Sequence, residues 1–262
     1  MRDLALATLA HRNMLEGFAL LALHQPNGVV RRDGSVLVAA TRSPIPIFNE
    51  VLAIEDEVGA ESLAGAVQAI RDIGAPWLAH FRSDVGDHDA SVALELGLEE
   101  EEVFFPAMVL TDLPTRSDSR SGLEVVRFEG SEEYDSYIAD SASISGADES
   151  VWRTWCGAGL LEDPNVVALV GYLDDTPVAK SMSIRTGEVV GIYDVGTAET
   201  ARRRGYGWAM TLAAIVAGAN SGATIATLQS SEMAFPLYSA HGFETVFDYR
   251  CFREPDSQPE QA

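Results

Sequence analysis

Three consecutive arginines followed by two closely spaced glycines form the part of this chain best suited to holding a ligand. The segment reads ARRRGYGW over residues 201–208, after an apolar run that predicts a buried strand and before a run without proline that predicts a helix. Free N–H groups and the helix dipole favour an anion at a helix start, and glycine lets the backbone approach it. The pattern predicts a site for a phosphorylated ligand at Arg202, Arg203, Arg204, Gly205, Tyr206 and Gly207.

The elements that must position this turn follow from the apolar pattern. In the second half we predict strands at 123–128, 166–173, 178–184, 189–195, 224–229 and 243–252, and helices at 131–142, 148–156, 208–217 and 232–240. In the first half we predict helices at 4–23, 61–73 and 88–96, and strands at 36–40, 45–54, 77–81 and 103–110. Each half ends alike, at Ala93 to Leu98 and at Tyr238 to Phe243, with a helix end, a glycine for a left-handed cap and an apolar residue. The matching order favours a duplicated fold.

The second half resembles the GNAT superfamily of acyl-CoA-dependent N-acyltransferases. The resemblance is carried by Arg202-x-x-Gly205-x-Gly207 between a strand and a helix, and further along by FPLYSAHGF at residues 235–243. It covers roughly residues 123–253 and, more weakly, the first half. It implies an α/β (α+β) fold of two tandem GNAT-like domains, each a mixed, mostly antiparallel sheet flanked by helices, with a degenerate N-terminal copy.

The resemblance also implies an activity, which is transfer of an acetyl group from acetyl-CoA directly to an amine, without a metal. The pantetheine arm is expected in a gap between the strands at 189–195 and 224–229, where it pairs with a strand edge. This adds Val195, Gly196, Thr197 and Ser231 to the predicted binding residues. Tyr238 is predicted to protonate the leaving sulfur.

The general base is open. In the histone-modifying branch of the family a glutamate lies on the strand before the turn, but Gly191 stands at that position here. Asp194 is our catalytic candidate on this strand, although alternation turns its side chain to the other face unless a bulge intervenes. Glu232, Glu162, Asp163 and a water chain are the alternatives.

Two other functions can be compared with acetyl transfer. A non-catalytic module that binds or senses acyl-CoA is the alternative, because the glutamate is missing at Gly191. Nucleotide binding of the Walker or Rossmann type fits badly, because G-x-x-x-x-G-K-[ST] is absent and Lys180 is the only lysine.

The first half lacks the features of the binding turn. Residues 55–60 read EDEVGA, and three carboxylates there would repel a pyrophosphate. Ala93 stands where the second half has Tyr238. We therefore expect the first half to bind no CoA, and to pack against the second half and shape its substrate cleft.

Composition and charge limit the partners and the compartment. The chain has 40 acidic and 18 basic residues and a formal charge of −22, which disfavours nucleic acid and anionic membranes and favours a cationic acceptor amine. Cys156 and Cys251 are predicted to be reduced core thiols. Charges interrupt the apolar N-terminus, and no run approaches the roughly 20 apolar residues of a membrane span. We predict a cytoplasmic protein, for which a homodimer is compatible with the sequence.

A polar segment separates the two halves. Residues 112–122 read DLPTRSDSRSG, a composition typical of linkers. We predict a degenerate domain at 1–112, a linker at 113–122, an acetyltransferase domain at 123–254 and a disordered tail at 255–262.

Overall fold

The computed structural model describes residues 2–116 and 122–255, which form seven α-helices and twelve β-strands. The helices are α1 (Arg2–Leu23), α2 (Ala60–Arg71), α3 (His88–Glu95), α4 (Tyr134–Ser145), α5 (Glu149–Trp152), α6 (Tyr206–Asn220) and α7 (Phe235–Ala240). The strands of the first half are β1 (Val29–Asp33), β2 (Val36–Ala40), β3 (Asn49–Ala53), β4 (Leu78–Arg82), β5 (Glu99–Glu101) and β6 (Pro106–Leu110). Those of the second half are β7 (Glu124–Phe128), β8 (Val166–Leu173), β9 (Thr176–Thr186), β10 (Val189–Thr197), β11 (Ile225–Gln229) and β12 (Glu244–Arg253).

The strands make one continuous sheet in the order β1-β2-β3-β4-β12-β6-β11-β10-β9-β8-β7, and β5 pairs with β12. Two neighbouring pairs are parallel, β3 with β4 and β10 with β11, and the other pairs among the described strands are antiparallel. The predicted fold class, a mixed and mostly antiparallel sheet flanked by helices, is confirmed.

The halves exchange their last strands. β6 lies between β11 and β12, and β12 continues from β6 to pair with β4. The turns before these strands match: Gly97 and Gly242 have φ of 83° and 88°, and the N–H groups of Leu98 and Phe243 each donate at 3.1 Å to a carbonyl of the preceding helix. The domain boundaries stay a prediction, and residues 117–121 of the linker and 256–262 of the tail lie outside the described residues.

Alternation along the strands divides the core into layers. Leu37 and Leu52 face α1, whereas Val38 and Val51 face α2 and α3. The α1 layer continues across the second half to α4 and α5, and α6 and α7 cover the opposite face there. Helix α1 therefore packs against both halves of the sheet.

Several predicted elements differ in extent, and two strands were missed. The strand predicted at 45–54 begins at Asn49, because Pro46 opens a turn of 3₁₀ helix and cannot donate to a ladder. The strand predicted at 103–110 begins at Pro106, and the helix predicted at 232–240 begins at Phe235. The edge strand β1 carries Arg31 and Arg32, and β5 consists of three glutamates, so neither shows an apolar pattern.

Candidate active site

Strands β10 and β11 separate at their carboxyl ends. They pair only where Val189 to Gly191 meet Ile225 to Thr227, although β10 continues to Thr197 and β11 to Gln229. A gap therefore opens between them directly before the arginine turn, as the resemblance implies.

A bulge in β10 follows this separation. Tyr193 pairs with Met182 and Gly196 with Lys180, so two residues of β10 oppose Ser181 alone. Asp194 has a left-handed φ of 51°, and its carboxylate forms a salt bridge with Lys180 and lies 3.5 Å from the Tyr137 hydroxyl. Burial raises the pKa of Asp194, and the charge of Lys180 opposes this shift. The structure therefore contains the bulge that brings the Asp194 side chain to the same face of the sheet as the Tyr193 side chain.

The free edge of β10 faces the gap. The Ala198 N–H donates to the Val178 carbonyl at 2.8 Å, towards β9. The N–H and C=O groups of successive residues alternate between the two edges of a strand. Since those of Ala198 point towards β9, the N–H and C=O groups of Val195 and Thr197 point towards the gap. The Thr197 carbonyl indeed accepts a hydrogen bond from Arg202 Nε at 3.3 Å.

The arginine turn ends at an uncapped helix. Arg203 has a φ of 62° and Gly205 a φ of 85°, and α6 begins at Tyr206. Gly205 is the N-cap residue of α6, and it has no side chain that could accept a hydrogen bond from the helix. The first N–H groups of α6 are therefore available to an anion.

A cavity of about 720 Å³ joins the strand edge, the turn and α7. Its lining contains Ile144, Ser145, Val195, Gly196, Thr197, Arg202, Arg203, Gly205, Tyr206, Gly207, Trp208, Met233, Ala234, Leu237 and Tyr238. Arg204 is exposed on the turn and outside this lining. Ser231 is also outside it, and its carbonyl accepts hydrogen bonds from the N–H groups of Ala234 and Phe235.

Tyr238 reaches the cavity from α7. Its side chain is buried and packs edge-on against Phe243. Burial raises its pKa above the ordinary value of 10.0, so the phenol is protonated at neutral pH. The structure thus brings Tyr238 together with the turn and the strand edge, whereas Asp194 lies outside the cavity lining.

Gly191 is sealed by helix α1. A Cβ at Gly191 would lie 1.9 Å from Asn13 Oδ1, and the Asn13 amide donates to the Ile184 carbonyl at 3.0 Å and to Thr186 Oγ1 at 2.9 Å. Tyr193 donates its hydroxyl to Asn13 Oδ1 at 2.7 Å. Sequence reasoning missed Asn13, and the only signal was a polar residue within an apolar helix.

The other candidate bases are not gathered at the cavity. Glu232 and Glu162 are exposed. Asp163 accepts a hydrogen bond from the Asn165 N–H at 2.9 Å, and its carboxylate lies 3.3 Å from the His24 ring. These contacts give Asp163 a structural role. None of the three lines the cavity.

The corresponding helix start in the first half is already occupied. The Val58 N–H, just before α2, donates to the buried Asp89 carboxylate at 2.8 Å, and the Gly59 N–H donates to Ser35 Oγ at 2.9 Å. A carboxylate of the chain itself therefore lies where the second half offers free N–H groups.

The gap between β3 and β4 is also filled. His11 of α1 lies with Nε2 2.6 Å from the Ala53 carbonyl and Nδ1 2.9 Å from the Tyr249 hydroxyl. Burial lowers the pKa of His11 to about 4, so the ring is neutral. Both observations support the expectation that the first half binds no CoA.

The chain was then compared with known proteins. The model of the Acetyltransferase (GNAT) family matches residues 123–243. This part of the chain belongs to the GNAT family. No curated protein is similar enough in sequence to count as a match.

Solved structures extend the fold to the whole chain. A GCN5-related N-acetyltransferase from Kribbella flavida has a TM-score of 0.69 at 20% identity, with 96% of each chain covered. One from Sphaerobacter thermophilus has a TM-score of 0.59 at 14% identity, covering 84% of this chain and 76% of that one. A tandem GNAT protein from the clavulanic acid biosynthesis pathway has a TM-score of 0.59 at 11% identity, covering 93% and 94%. At these identities the similarity concerns the fold alone. The similar structures have the GNAT fold, and one of them is a tandem GNAT protein.

The described ranges contain neither a candidate membrane-spanning helix nor a candidate metal-binding cluster. None of the helices there combines the length and apolar character needed to cross a bilayer. Nor do three or more His, Cys, Asp or Glu side chains gather there in a way that could hold a metal ion.

Proposed function

We propose that the GNAT domain transfers an acetyl group from acetyl-CoA directly to an amine. The observation that carries this proposal is the single cavity in which the free edge of β10, the uncapped start of α6 and Tyr238 meet. Its volume of about 720 Å³ falls within the usual range for sites of small ligands.

Each part of CoA has a matching surface in this cavity. The pyrophosphate would accept hydrogen bonds from the N–H groups of about Arg203 to Gly207, assisted by the charges of the turn. The pantetheine amides would pair with Val195 and Thr197 as an added strand does. Arg202, which donates to the Thr197 carbonyl, ties the turn to that edge.

The chemistry requires an amine to lose a proton, an oxyanion to be stabilised and a thiolate to leave. Tyr238 is the proposed donor to the sulfur. A phenol with an ordinary pKa near 10 is a weaker acid than a thiol near 8.5, so complete proton transfer costs about 2 kcal/mol. Because burial raises the pKa of Tyr238 further, its contribution is a hydrogen bond that strengthens as the C–S bond breaks.

The proton of the amine needs another route. Asp194 is held by Lys180 and lies outside the cavity lining, and α1 occupies the space beside Gly191. We therefore favour a water chain as the base. Because the protein carries a charge of −22, we propose a cationic acceptor.

No carboxylate belongs to the described residues that line the cavity, and this keeps a second candidate, an acyl-CoA sensor. One experiment separates the two: acetyl-CoA binding is measured by calorimetry, and thiol release is followed with cationic, neutral and anionic amines. Catalysis predicts turnover that falls at least about tenfold in Tyr238→Phe with unchanged CoA affinity. Binding by the parent without turnover on any amine favours the sensor.

The arginine turn has its own test. The double variant Arg202→Ala, Gly205→Ala should bind CoA at least about tenfold more weakly, because a charge is lost and alanine resists a φ of 85°. Arg31→Ala, on the edge strand β1, is the matched control and should leave the affinity unchanged. Unchanged affinity in the double variant would remove the turn from the site.

A further inference from the structure

The bulge of β10 encloses a buried ion pair that the proposed chemistry does not use. The side chains of Lys180 and Asp194 are 2% and 18% exposed. The Lys180 ammonium also lies 3.4 Å from the centroid of the Trp152 ring, a cation–π contact, and the Tyr137 hydroxyl is within 3.5 Å of Asp194. Lys180 is the only lysine of the chain. Its compact ammonium differs in shape from the planar guanidinium of an arginine, so the two residues are not interchangeable here.

The two residues depend on each other. A single charge buried without its partner is strongly unfavourable. Asp194 also has a left-handed φ of 51°, which most side chains resist and which aspartate tolerates better than most. The salt bridge joins this strained residue to β9, because Lys180 is the direct partner of Gly196 in the ladder.

The bulge decides which backbone groups face the gap. Because two residues of β10 oppose Ser181, the alternation shifts by one position after Tyr193. Val195 and Thr197 then face the open edge, and Gly196 faces β9. Without the extra residue, Gly196 would face the gap and its two neighbours would face β9.

Lys180 also lies directly beneath the cavity. A Cβ at Gly196 would meet Lys180 Cε at 3.1 Å, and Gly196 itself lines the cavity. The lysine stem therefore supports the part of β10 that the ligand would contact.

We propose that the Lys180–Asp194 pair is a positioning device that holds the bulge, and so presents the Val195 and Thr197 backbone to the pantetheine of acetyl-CoA. This role rests on the proposed function of the cavity. Neither side chain touches the ligand, and the pair acts through the backbone of β10.

The main test removes both charges at once. Replacing a buried ion pair by neutral groups is often tolerated, so Lys180→Met, Asp194→Asn should unfold near the parental temperature. Its affinity for acetyl-CoA should nevertheless fall at least about tenfold, because two backbone hydrogen bonds are misplaced.

A second buried pair supplies the control. Glu50 Oε2 lies 2.6 Å from His80 Nδ1, with side chains 0% and 2% exposed, in the first half. Glu50→Gln, His80→Asn should leave acetyl-CoA affinity unchanged. Parental affinity in Lys180→Met, Asp194→Asn overturns the proposal. No binding of acetyl-CoA by the parent would instead overturn the proposed function.

Amide hydrogen exchange of the parent gives a test that requires no variant to fold. The Val195 and Thr197 N–H groups should exchange rapidly and become protected when acetyl-CoA binds. The Gly196 N–H should be protected in both states, because it faces β9. The reverse pattern would refute the proposed register.

Discussion

Replacing Gly191 by alanine tests whether α1 seals the position where the family's histone-modifying branch has its glutamate. The new Cβ would lie 1.9 Å from Asn13 Oδ1 and 2.5 Å from Tyr193 Cε2, so Asn13 must move. Its amide donates at 3.0 and 2.9 Å and its oxygen accepts from Tyr193 at 2.7 Å. Losing these three hydrogen bonds costs about 1 kcal/mol each, and overpacking adds about 1–3 kcal/mol.

We therefore expect Gly191→Ala to lower the free energy of unfolding by about 4–6 kcal/mol and the melting temperature by on the order of 10–20 °C. Thermal and urea unfolding followed by circular dichroism measure both quantities. Gly65→Ala is the matched control: Gly65 lies within α2, and the new Cβ would be 3.9 Å from Asp33 Oδ2, which is ordinary van der Waals contact. Alanine there should stabilise the protein by about 0.5–1 kcal/mol.

A double-mutant cycle with Asn13→Ala isolates the contact. Truncating Asn13 makes room for the new methyl group, so the two changes together should cost clearly less than the sum of the single changes. The reasoning is refuted if Gly191→Ala costs less than about 1 kcal/mol, or if the two changes are additive.

Two further predictions concern the first half. Asp89→Ala leaves the Val58 N–H without its acceptor and should cost about 0.5–2 kcal/mol in urea unfolding, with acetyl-CoA affinity by calorimetry unchanged; parental stability in this variant would contradict the occupied helix start. His11 has a pKa of about 4 in the folded protein and an ordinary value of 6.5, so the unfolded chain binds the proton first as pH falls. Between pH 6.5 and 4 the parent should lose about 3 kcal/mol from this group, and His11→Gln should lack that part of the slope; parallel pH profiles would refute it.

Much of the element order was accessible from local pattern. The strand predicted at 36–40 coincides with β2, and the strands at 166–173 and 189–195 agree with β8 and most of β10. These segments are buried on one or both faces, so their apolar pattern is strong. The edge strand β1 has exposed arginines and little burial, so the same reasoning passed over it.

The residues in and around the candidate site also divide into those that a local pattern predicts and those that it does not. Arg202, Gly205 and Gly207 could be chosen from the sequence as candidates because a turn of the predicted kind is local: its glycines, its charges and the helix it opens are contiguous. The Lys180–Asp194 pair could not be identified, because a bulge changes the facing of a side chain without altering the residue types around it.

The sequence by itself determined the two motifs, most of the order of helices and strands around them, and the acidic segment at residues 55–60 where the second half has its arginine turn, since each depends on neighbouring residues. The tertiary structure decided the exchange of β6 and β12, the bulge at Asp194 and the sealing of Gly191 by Asn13. Asn13 is far from Gly191 along the chain, and apolar periodicity shows that a helix is buried without showing which surface it covers.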